Sequence, residues 1–251
     1  MAERGEQEET QEPQETKAGH VVRIVSKPAG EPGAAFHRWL RAELRPDMRL
    51  LDLSAGSSTR DPHSIARGEA RELVGAAADR ALLRSADFDH VVRIENDWLP
   101  LADRSFDLIW SDGGLEHAKR PAALLGEVHR LLKPGGQFFF QTPNLGHYRT
   151  LCGWIASNGL WSRLDRSLGG KGSTDPSTQR DFFRANTRSA LAHLASAAGF
   201  TEVEFRMEEP ESGPQERAAW ASRLSAGYSR LVNRSNRLAG FRATLLGRLR
   251  R

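Results

Sequence analysis

The polar residues best placed to do chemistry follow two apolar runs in the middle of the chain, Phe106–Trp110 and Gln137–Thr142. Asp112 and His117 come after the first run. Either could act as a general base, since a carboxylate accepts a proton and imidazole titrates near neutrality. Structural roles compete with both: a loop turn for Asp112, and helix capping or packing for His117. The second run is followed by three candidates for substrate binding, His147, Tyr148 and Arg149.

Arg184 is a further candidate for substrate binding, because its guanidinium could hold an anionic group. It follows residues 151–183, which we expect to form helical cover over the site, interrupted by a flexible stretch at Gly169–Ser173. A second helical decoration is expected at 211–240. Long decorations of this kind often hold the substrate.

A strand, a helix and a second strand are needed to position these residues. Pro121 can open a helix whose leucines and valine recur along one face for about two turns. Gly135 and Gly136 can then turn the chain into the second strand. Two strands joined by a helix in about 35 residues make a right-handed unit, and ligands of open parallel sheets bind beyond the carboxyl ends of the strands. Ser111–His117 and Thr142–Tyr148 should therefore face one site.

Three earlier strands are expected to join the same sheet, at Arg49–Ser54, Glu72–Ala76 and His90–Glu95. The first ends in Ser54–Ser58, a run of small residues where the backbone can approach a ligand. After the central unit, Asn186-Thr187 can cap a helix that Gly199 ends. The remaining expected elements are strands at Val21–Val25, Thr201–Met207 and Ala243–Leu249, and helices at Ala35–Leu44 and Glu216–Leu238.

The composition indicates one α/β domain. Of the 251 residues, 39% are hydrophobic and 27% charged, and no apolar run approaches the length that spans a bilayer. We predict that residues 1–19 form a disordered acidic tail and that residues 20–251 form the domain. The polar N-terminus is unlike a secretory signal, and the single Cys152 excludes an intrachain disulfide. These features favour the cytoplasm.

The net charge of +4 combines an acidic tail with a basic body. Residues 1–19 hold six Glu against two basic residues, a charge of −4, which leaves +8 for the remainder. Residues 221–251 hold eight Arg and no acidic residue. Without interleaved aromatic residues, this pattern favours a solvated face over a surface for nucleic acid or anionic lipid.

The segments LLDLSAGSS, LVGAAAD, RIENDWLPLADRSFDLIWSDGGLEH and LLKPGG occur in this order. Together they resemble the class I S-adenosylmethionine-dependent methyltransferases over roughly Ala34–Met207, plus the strand at Ala243–Leu249. The resemblance implies a Rossmann-like α/β fold: a seven-stranded, mostly parallel sheet with an antiparallel last strand and helices on both faces. It implies S-adenosylmethionine as cofactor. The segment Phe182–Phe200 looks like bacterial members that methylate small molecules or glycan precursors.

The resemblance also assigns a cofactor site. Asp52 and the turn after it would lie under the methionine and ribose, Glu95 and Asn96 would meet the adenine, and Ser111 would lie near the sulfonium. Trp98 could cover the adenine face. The residues of the turn are Ser54, Ala55 and Gly56.

Two features depart from the family pattern. Ser54 and Ser58 stand where the family usually has glycines, which restricts the backbone. In the family, an acidic residue ends the second strand and binds the ribose. Ala77 occupies that position here, and Asp79 could replace the acidic residue only if the loop bends back. A degenerate, non-catalytic binding or scaffold protein is therefore the alternative function.

Other chemistries lack their sequence signals. A nicotinamide oxidoreductase would need a G-x-G-x-x-G turn that opens a full helix, and the segment SAGSST followed by Arg60-Asp61-Pro62 supplies neither. No spacing of His and Cys predicts a metal site or a nucleophilic triad. The predicted function is methyl transfer to oxygen or nitrogen of a small acceptor. The acceptor and the oligomeric state are left open.

Overall fold

The computed structural model describes residues 14–15, 21–26, 34–55, 66, 68–77, 88–95, 98–157, 182–209 and 219–251. A nine-stranded sheet forms its centre, in the order β1-β2-β8-β9-β7-β6-β3-β4-β5. The strands are β1 Gln14–Glu15, β2 Val21–Ser26, β3 Arg49–Asp52, β4 Glu72–Ala77, β5 His90–Arg93, β6 Phe106–Asp112, β7 Leu132–Pro143, β8 Glu202–Glu208 and β9 Thr244–Arg250.

Within the described ranges, five α-helices and two 3₁₀ turns accompany the sheet. Pro121 opens the second helix at its first position, where its missing N–H costs no hydrogen bond. Thr187 caps the fourth helix by accepting a hydrogen bond from the amide of Ala190, and Gly199 ends that helix at a φ of 96°. The helices are α1 Ala34–Arg41, α2 Pro121–Leu131, α3 Tyr148–Ser157, α4 Arg188–Ala198 and α5 Ala219–Arg234, and the 3₁₀ turns are Leu115–His117 and Asn236–Phe241.

Hydrophobic cores lie on both faces of the sheet. The apolar sides of α2 and α4 pack on one face, and α1 packs on the other with Phe36, Trp39 and Leu40. Successive residues of the central strands alternate between the cores, as Phe138 and Phe139 do in β7. A strand buried on both faces reads as a continuous apolar run. This is why β6 and β7 can be predicted from the sequence.

The predicted seven-stranded sheet is confirmed, with β9 antiparallel to both neighbours. Beyond it, β2 adds to the edge in parallel with β8, and β1 pairs with β2. The predicted disordered tail is therefore wrong at Gln14–Glu15, which gain a partner because Val21–Ser26 is itself in the sheet. The rest of the tail lies outside the described residues.

Several element boundaries differ from the expected ones. β7 begins at Leu132 rather than Gln137, because Leu132 pairs with Phe106 ahead of a bulge. β6 continues to Asp112, two residues beyond the predicted end. The predicted helix Glu216–Leu238 is instead α5 followed by a separate 3₁₀ turn. No helix within the described ranges is both long and apolar enough to cross a membrane.

Gly247 lies in a tightly packed part of the inserted strand β9. It pairs with Phe140 of β7 and with Phe205 of β8, and the rings of these two residues meet over it at a centroid distance of 6.4 Å. A methyl group at this position would lie 2.0 Å from a ring carbon of Phe140. The glycine thus allows two large side chains to share one site in the core.

We expect Gly247→Ala to destabilise the protein by about 1–3 kcal/mol, the usual range for overpacking a core. Gly227→Ala is the matched control, because an added methyl there meets open space on α5. It should leave stability unchanged or raise it by up to about 1 kcal/mol. Urea denaturation of both variants measures the difference. Equal stability of the two would show that β9 is not packed between β7 and β8 as described.

Candidate active site

The hydroxyl of Ser54 joins the tips of two neighbouring strands. It donates to Oδ1 of Asp52 at 2.7 Å and accepts from the amide of Asp112 at 2.9 Å. The amide of Ser54 also donates to Oδ1 of Asp52, at 2.8 Å. All three residues are buried. The turn after β3 is thereby fixed against the end of β6.

Small residues continue this arrangement beyond β6. Gly113 has a φ of 73°, and its amide donates to the carbonyl of Gln141 at 3.0 Å, which joins the tips of β6 and β7. Gly114 is close to Ser111, whose hydroxyl would lie 2.6 Å from an added methyl group. Glycine is therefore favoured at 113 by its positive φ, and a side chain at 114 would need the Ser111 hydroxyl to move.

Trp98 and Glu95 pair with each other after β5. The amide of each donates to the carbonyl of the other, at 2.9 and 3.0 Å. The Trp98 side chain is 52% exposed, which is unusual for a large aromatic residue. The next residue, Leu99, is anchored by its amide to Oε1 of Glu127 at 2.8 Å. The indole is therefore held on a fixed support while its surface stays open to a ligand.

Ala77 ends β4 in register with Arg93 of β5, and it is buried. The position expected to carry a ribose-binding carboxylate thus has only a methyl group. Asp79, Asn96 and Gly56, which were predicted to contact the cofactor, lie outside the described residues. Ala55, from the first turn, is buried.

A cavity of about 390 Å³ opens beside these strand tips. Three carboxylates line it, Asp112, Glu116 and Glu209, together with one arginine, Arg149. The other lining residues are Gly113, Gln141, Thr142, Pro143, His147, Thr150, Ser225, Ala243 and Thr244. A wall with three acidic groups and one basic group favours neutral or cationic ligands over anions.

Glu116 is held by the end of β7. Its Oε2 accepts from the hydroxyl of Thr142 at 3.0 Å, and that hydroxyl accepts from Nδ2 of Asn186 at 2.7 Å. The backbone carbonyl of Glu116 accepts from the amides of Phe182 and Phe183 at 2.7 and 3.1 Å. The 3₁₀ turn, β7 and the entry to α4 are therefore joined at one carboxylate.

Glu209 is the centre of a second buried network. Its Oε1 accepts from the Ser229 hydroxyl at 2.8 Å, and its Oε2 accepts from the Ala243 amide at 2.7 Å. Nε2 of His147 lies 3.6 Å from the same Oε2. Burial raises the pKa of Glu209, but the nearby His147 imidazole and the hydrogen bonds from Ser229 and Ala243 outweigh it and hold the pKa below its ordinary value.

Two tyrosines cover the His147 ring. Tyr148 and Tyr228 lie 4.6 and 5.2 Å from its centroid and 4.7 Å from each other. The Tyr228 hydroxyl donates to the carbonyl of Phe241 at 2.6 Å. Burial, with the nearby charge of Glu209, raises the pKa of Tyr228 to about 12. Tyr228 is therefore neutral at physiological pH, and it ties α3 to α5.

The structure brings some predicted residues to this cavity and leaves others away from it. Asp112, His147 and Arg149 line it. His117 ends the 3₁₀ turn, half-buried and outside the cavity lining. Arg184 donates to the carbonyl of Lys119 at 2.7 Å and lines a separate groove. The anion-binding role expected for Arg184 therefore does not concern this cavity.

Sequence reasoning missed Glu209 and His37 and gave Glu116 only a structural role. Glu209 follows β8, whose carboxyl end meets the same sheet edge as the other strands, so the strand order could place it at that edge but not in the cavity. His37 comes from α1, and its Nε2 lies 3.8 Å from Oδ2 of Asp112. Nothing in the sequence relates these two residues. Among the described residues, no group of three or more His, Cys, Asp or Glu could hold a metal ion.

The adjacent residues Glu208 and Glu209 should respond oppositely to loss of charge. Glu209 has a folded-state pKa below the ordinary 4.5, so its charge stabilises the fold above that pH and the contribution is lost as pH falls. Burial raises the pKa of Glu208, so its charge costs stability. At pH 7, Glu209→Gln should lower the free energy of unfolding by about 1.5–3 kcal/mol. Glu208→Gln should leave it unchanged or raise it.

Thermal denaturation between pH 3 and pH 8 tests both variants. The deficit of Glu209→Gln should shrink below pH 4.5, as the wild-type carboxylate becomes protonated. A deficit that is constant with pH would mean that Glu209 contributes by shape and not by charge.

The chain matches known proteins in sequence and in fold. Residues 33–140 match the family model "Methyltransferase domain". The chain is 28% identical over 147 residues to a glycine/sarcosine/dimethylglycine N-methyltransferase of Actinopolyspora halophila, covering 53% of this chain and 23% of that protein. It is 28% identical over 174 residues to a demethylmenaquinone methyltransferase of Renibacterium salmoninarum, covering 64% of this chain and 70% of the relative.

The fold resembles a solved S-adenosylmethionine-dependent methyltransferase from Archaeoglobus fulgidus. The TM-score is 0.54 at 16% identity, over 87% of this chain and 92% of the other. At that identity the likeness concerns the fold alone. The domain match and the strand order agree with this likeness. Residues 33–140 are similar in sequence to a methyltransferase domain, and the chain has the fold of the S-adenosylmethionine-dependent methyltransferases, whose cofactor is S-adenosylmethionine.

Proposed function

We propose that the chain transfers a methyl group from S-adenosylmethionine to a nitrogen or oxygen atom of a small-molecule or glycan-precursor acceptor. The observation that carries the proposal is the cavity at the tips of β6 and β7, which shares Asp112 with the first turn. An acceptor in the cavity would therefore lie next to the proposed cofactor site. The proposed compartment is the cytoplasm, on the basis of the single, exposed Cys152.

The described residues fit the cofactor at its adenine end. Glu95 and Trp98 are both exposed and offer a carboxylate and an open aromatic face. Asp52, at the tip of β3, is proposed to lie near the methionine and ribose, and Ser111 near the sulfonium. When bound, the cofactor supplies a methyl group on a positively charged sulfur. The residues of the chain then position the acceptor for in-line attack.

The charge of the cavity limits the acceptor class. Three carboxylates against one arginine would repel a carboxylate or phosphate placed among them. A neutral polyol or an amine would instead donate hydrogen bonds to these oxygens. We therefore favour a neutral or cationic acceptor over an anionic one.

Asp112 is the proposed base for a hydroxyl acceptor, because it lines the cavity. Gln141 donates to its Oδ1 at 3.3 Å, and His37 lies near its Oδ2. These contacts hold the carboxylate in place. His117 is the less favoured base, since it lies outside the cavity lining. An uncharged amine acceptor would need no base before attack, only alignment.

A non-catalytic scaffold protein is the alternative, and Ala77 is the observation that favours it. Loss of the ribose carboxylate weakens the cofactor site, and a chain that no longer binds the cofactor cannot transfer a methyl group. The open Trp98 and the hydrogen-bonded tips of β3 and β6 support the enzyme instead. Cofactor binding distinguishes the two.

The chain should bind S-adenosylmethionine and its demethylated product in calorimetry. Trp98→Ala should weaken the binding of both ligands by at least about fivefold, since base–aromatic stacking contributes about 1–3 kcal/mol. Phe241→Ala is the control, because Phe241 is equally exposed at 53% but lies in the second 3₁₀ turn. Absence of binding to either ligand would reject the enzyme. Equal loss in both variants would reject the proposed adenine site.

Incubation with methyl-labelled cofactor and a panel of acceptors tests the acceptor class. Neutral polyols or amines should accept the label, and matched carboxylates or phosphates should not. For a hydroxyl acceptor, Asp112→Asn should lower kcat by about 10²–10⁴-fold, the usual contribution of a general base. Asp47→Asn, at an exposed carboxylate outside the cavity, is the control. Preferential labelling of anionic acceptors would contradict the proposal.

A further inference from the structure

Helix α5 places its leucines outward. Leu224 and Leu231 are 67% and 58% exposed, whereas Ser225 and Ser229 are buried. The usual arrangement is the reverse, since burying a leucine side chain stabilises the fold. The serines are needed inside, because Ser229 donates to Glu209 and Ser225 lines the cavity. The leucines are consequently left on the surface.

Helix α3 exposes an apolar stripe of its own. Tyr148, Leu151 and Ile155 recur at helical spacing and are all exposed. The two helices meet where Tyr148 contacts Tyr228. We call their exposed sides the α3–α5 face. Arg149, Thr150 and Ser225 line the cavity from these same helices, so the face adjoins the cavity.

The charges of the α3–α5 face are all of one sign. Four arginines occur in α3 and α5, and these two helices contain no Asp or Glu. Arg223, Arg230 and Arg234 are exposed along the same stripe of α5 as the two leucines. The surface is therefore both apolar and basic.

The other arginines near the C-terminus have partners within the fold. Arg242 is buried and donates to the carbonyls of Val232 and Met207. Arg248 pairs with Glu43 and Glu204 at 3.0 and 2.6 Å. The expected solvated arginine face thus divides into residues that hold β9 in place and residues that share a surface with leucines.

We propose that the α3–α5 face docks on an anionic lipid bilayer. Leucine and aromatic side chains beside arginines are the composition of helices that lie in the membrane interface. Each basic residue near an anionic surface adds about 1 kcal/mol of attraction, roughly fivefold in affinity. Exposed leucines would not contribute to binding nucleic acid. In a dimer formed through this face, the two arginine-rich surfaces would repel each other. Docking would place the cavity at the lipid–water boundary.

Vesicle flotation tests the proposal with the whole chain. The protein should float with phosphatidylcholine vesicles that contain one-third phosphatidylglycerol, only weakly with pure phosphatidylcholine, and less as salt is raised. Leu224→Ser combined with Leu231→Ser should weaken binding at least tenfold without lowering the melting temperature. Arg230→Gln and Arg234→Gln should each weaken it about fivefold.

Two exposed positions elsewhere supply matched controls. Trp98→Ser removes an exposed aromatic residue, and Arg45→Gln removes an exposed arginine, both outside the α3–α5 face. Neither should change flotation. Several results would overturn the proposal: no flotation, equal loss in the controls, equal binding to uncharged vesicles, a dimer that the leucine variants dissociate, or RNA binding that only the arginine variants weaken.

Discussion

The hydrogen bonds of the Ser54 hydroxyl are the interaction on which the site depends. Parallel strands end at one edge of a sheet, but the edge becomes a site only when the loops beyond the strands are held in place. Ser54 connects the carboxylate of Asp52 with the amide of Asp112, and all three groups are buried. This gives serine a function where the family usually has glycine. The departure noted in the sequence therefore contributes a structural bond, whatever it costs in backbone freedom.

The cavity at the tips of β6 and β7 imposes a second constraint, which reaches as far as the surface of α5. Its wall includes Glu209, a buried carboxylate that must have hydrogen-bond donors. One donor is the amide of Ala243, just before β9, and another is the hydroxyl of Ser229 on α5. A helix that supplies serines to the interior cannot bury its leucines on the same side. The polar cavity and the apolar outer surface are thus two consequences of one helix orientation.

The sequence predicted the elements whose signals are local. Pro121 and Gly199 mark helix ends, and the strands β6 and β7 are buried on both faces and therefore appear as apolar runs. The parts that could not be predicted depend on contacts between distant segments. Glu209 reaches the cavity only because β9 inserts between β7 and β8, and His37 reaches Asp112 only through the packing of α1. No local pattern contains either contact.

The expected free energies of cofactor binding argue against a purely non-catalytic role for the chain. A hydrogen bond to a charged group contributes about 1.5–3 kcal/mol, so loss of the ribose carboxylate at Ala77 costs roughly 10- to 150-fold in cofactor affinity for each such bond. At the proposed adenine site, stacking on Trp98 would contribute a similar amount, and its indole is open and supported by the hydrogen bond between Leu99 and Glu127. The binding free energy lost with the ribose carboxylate is therefore comparable with that of the proposed adenine contact. In the proposed site, Ala77 would weaken cofactor binding without abolishing it.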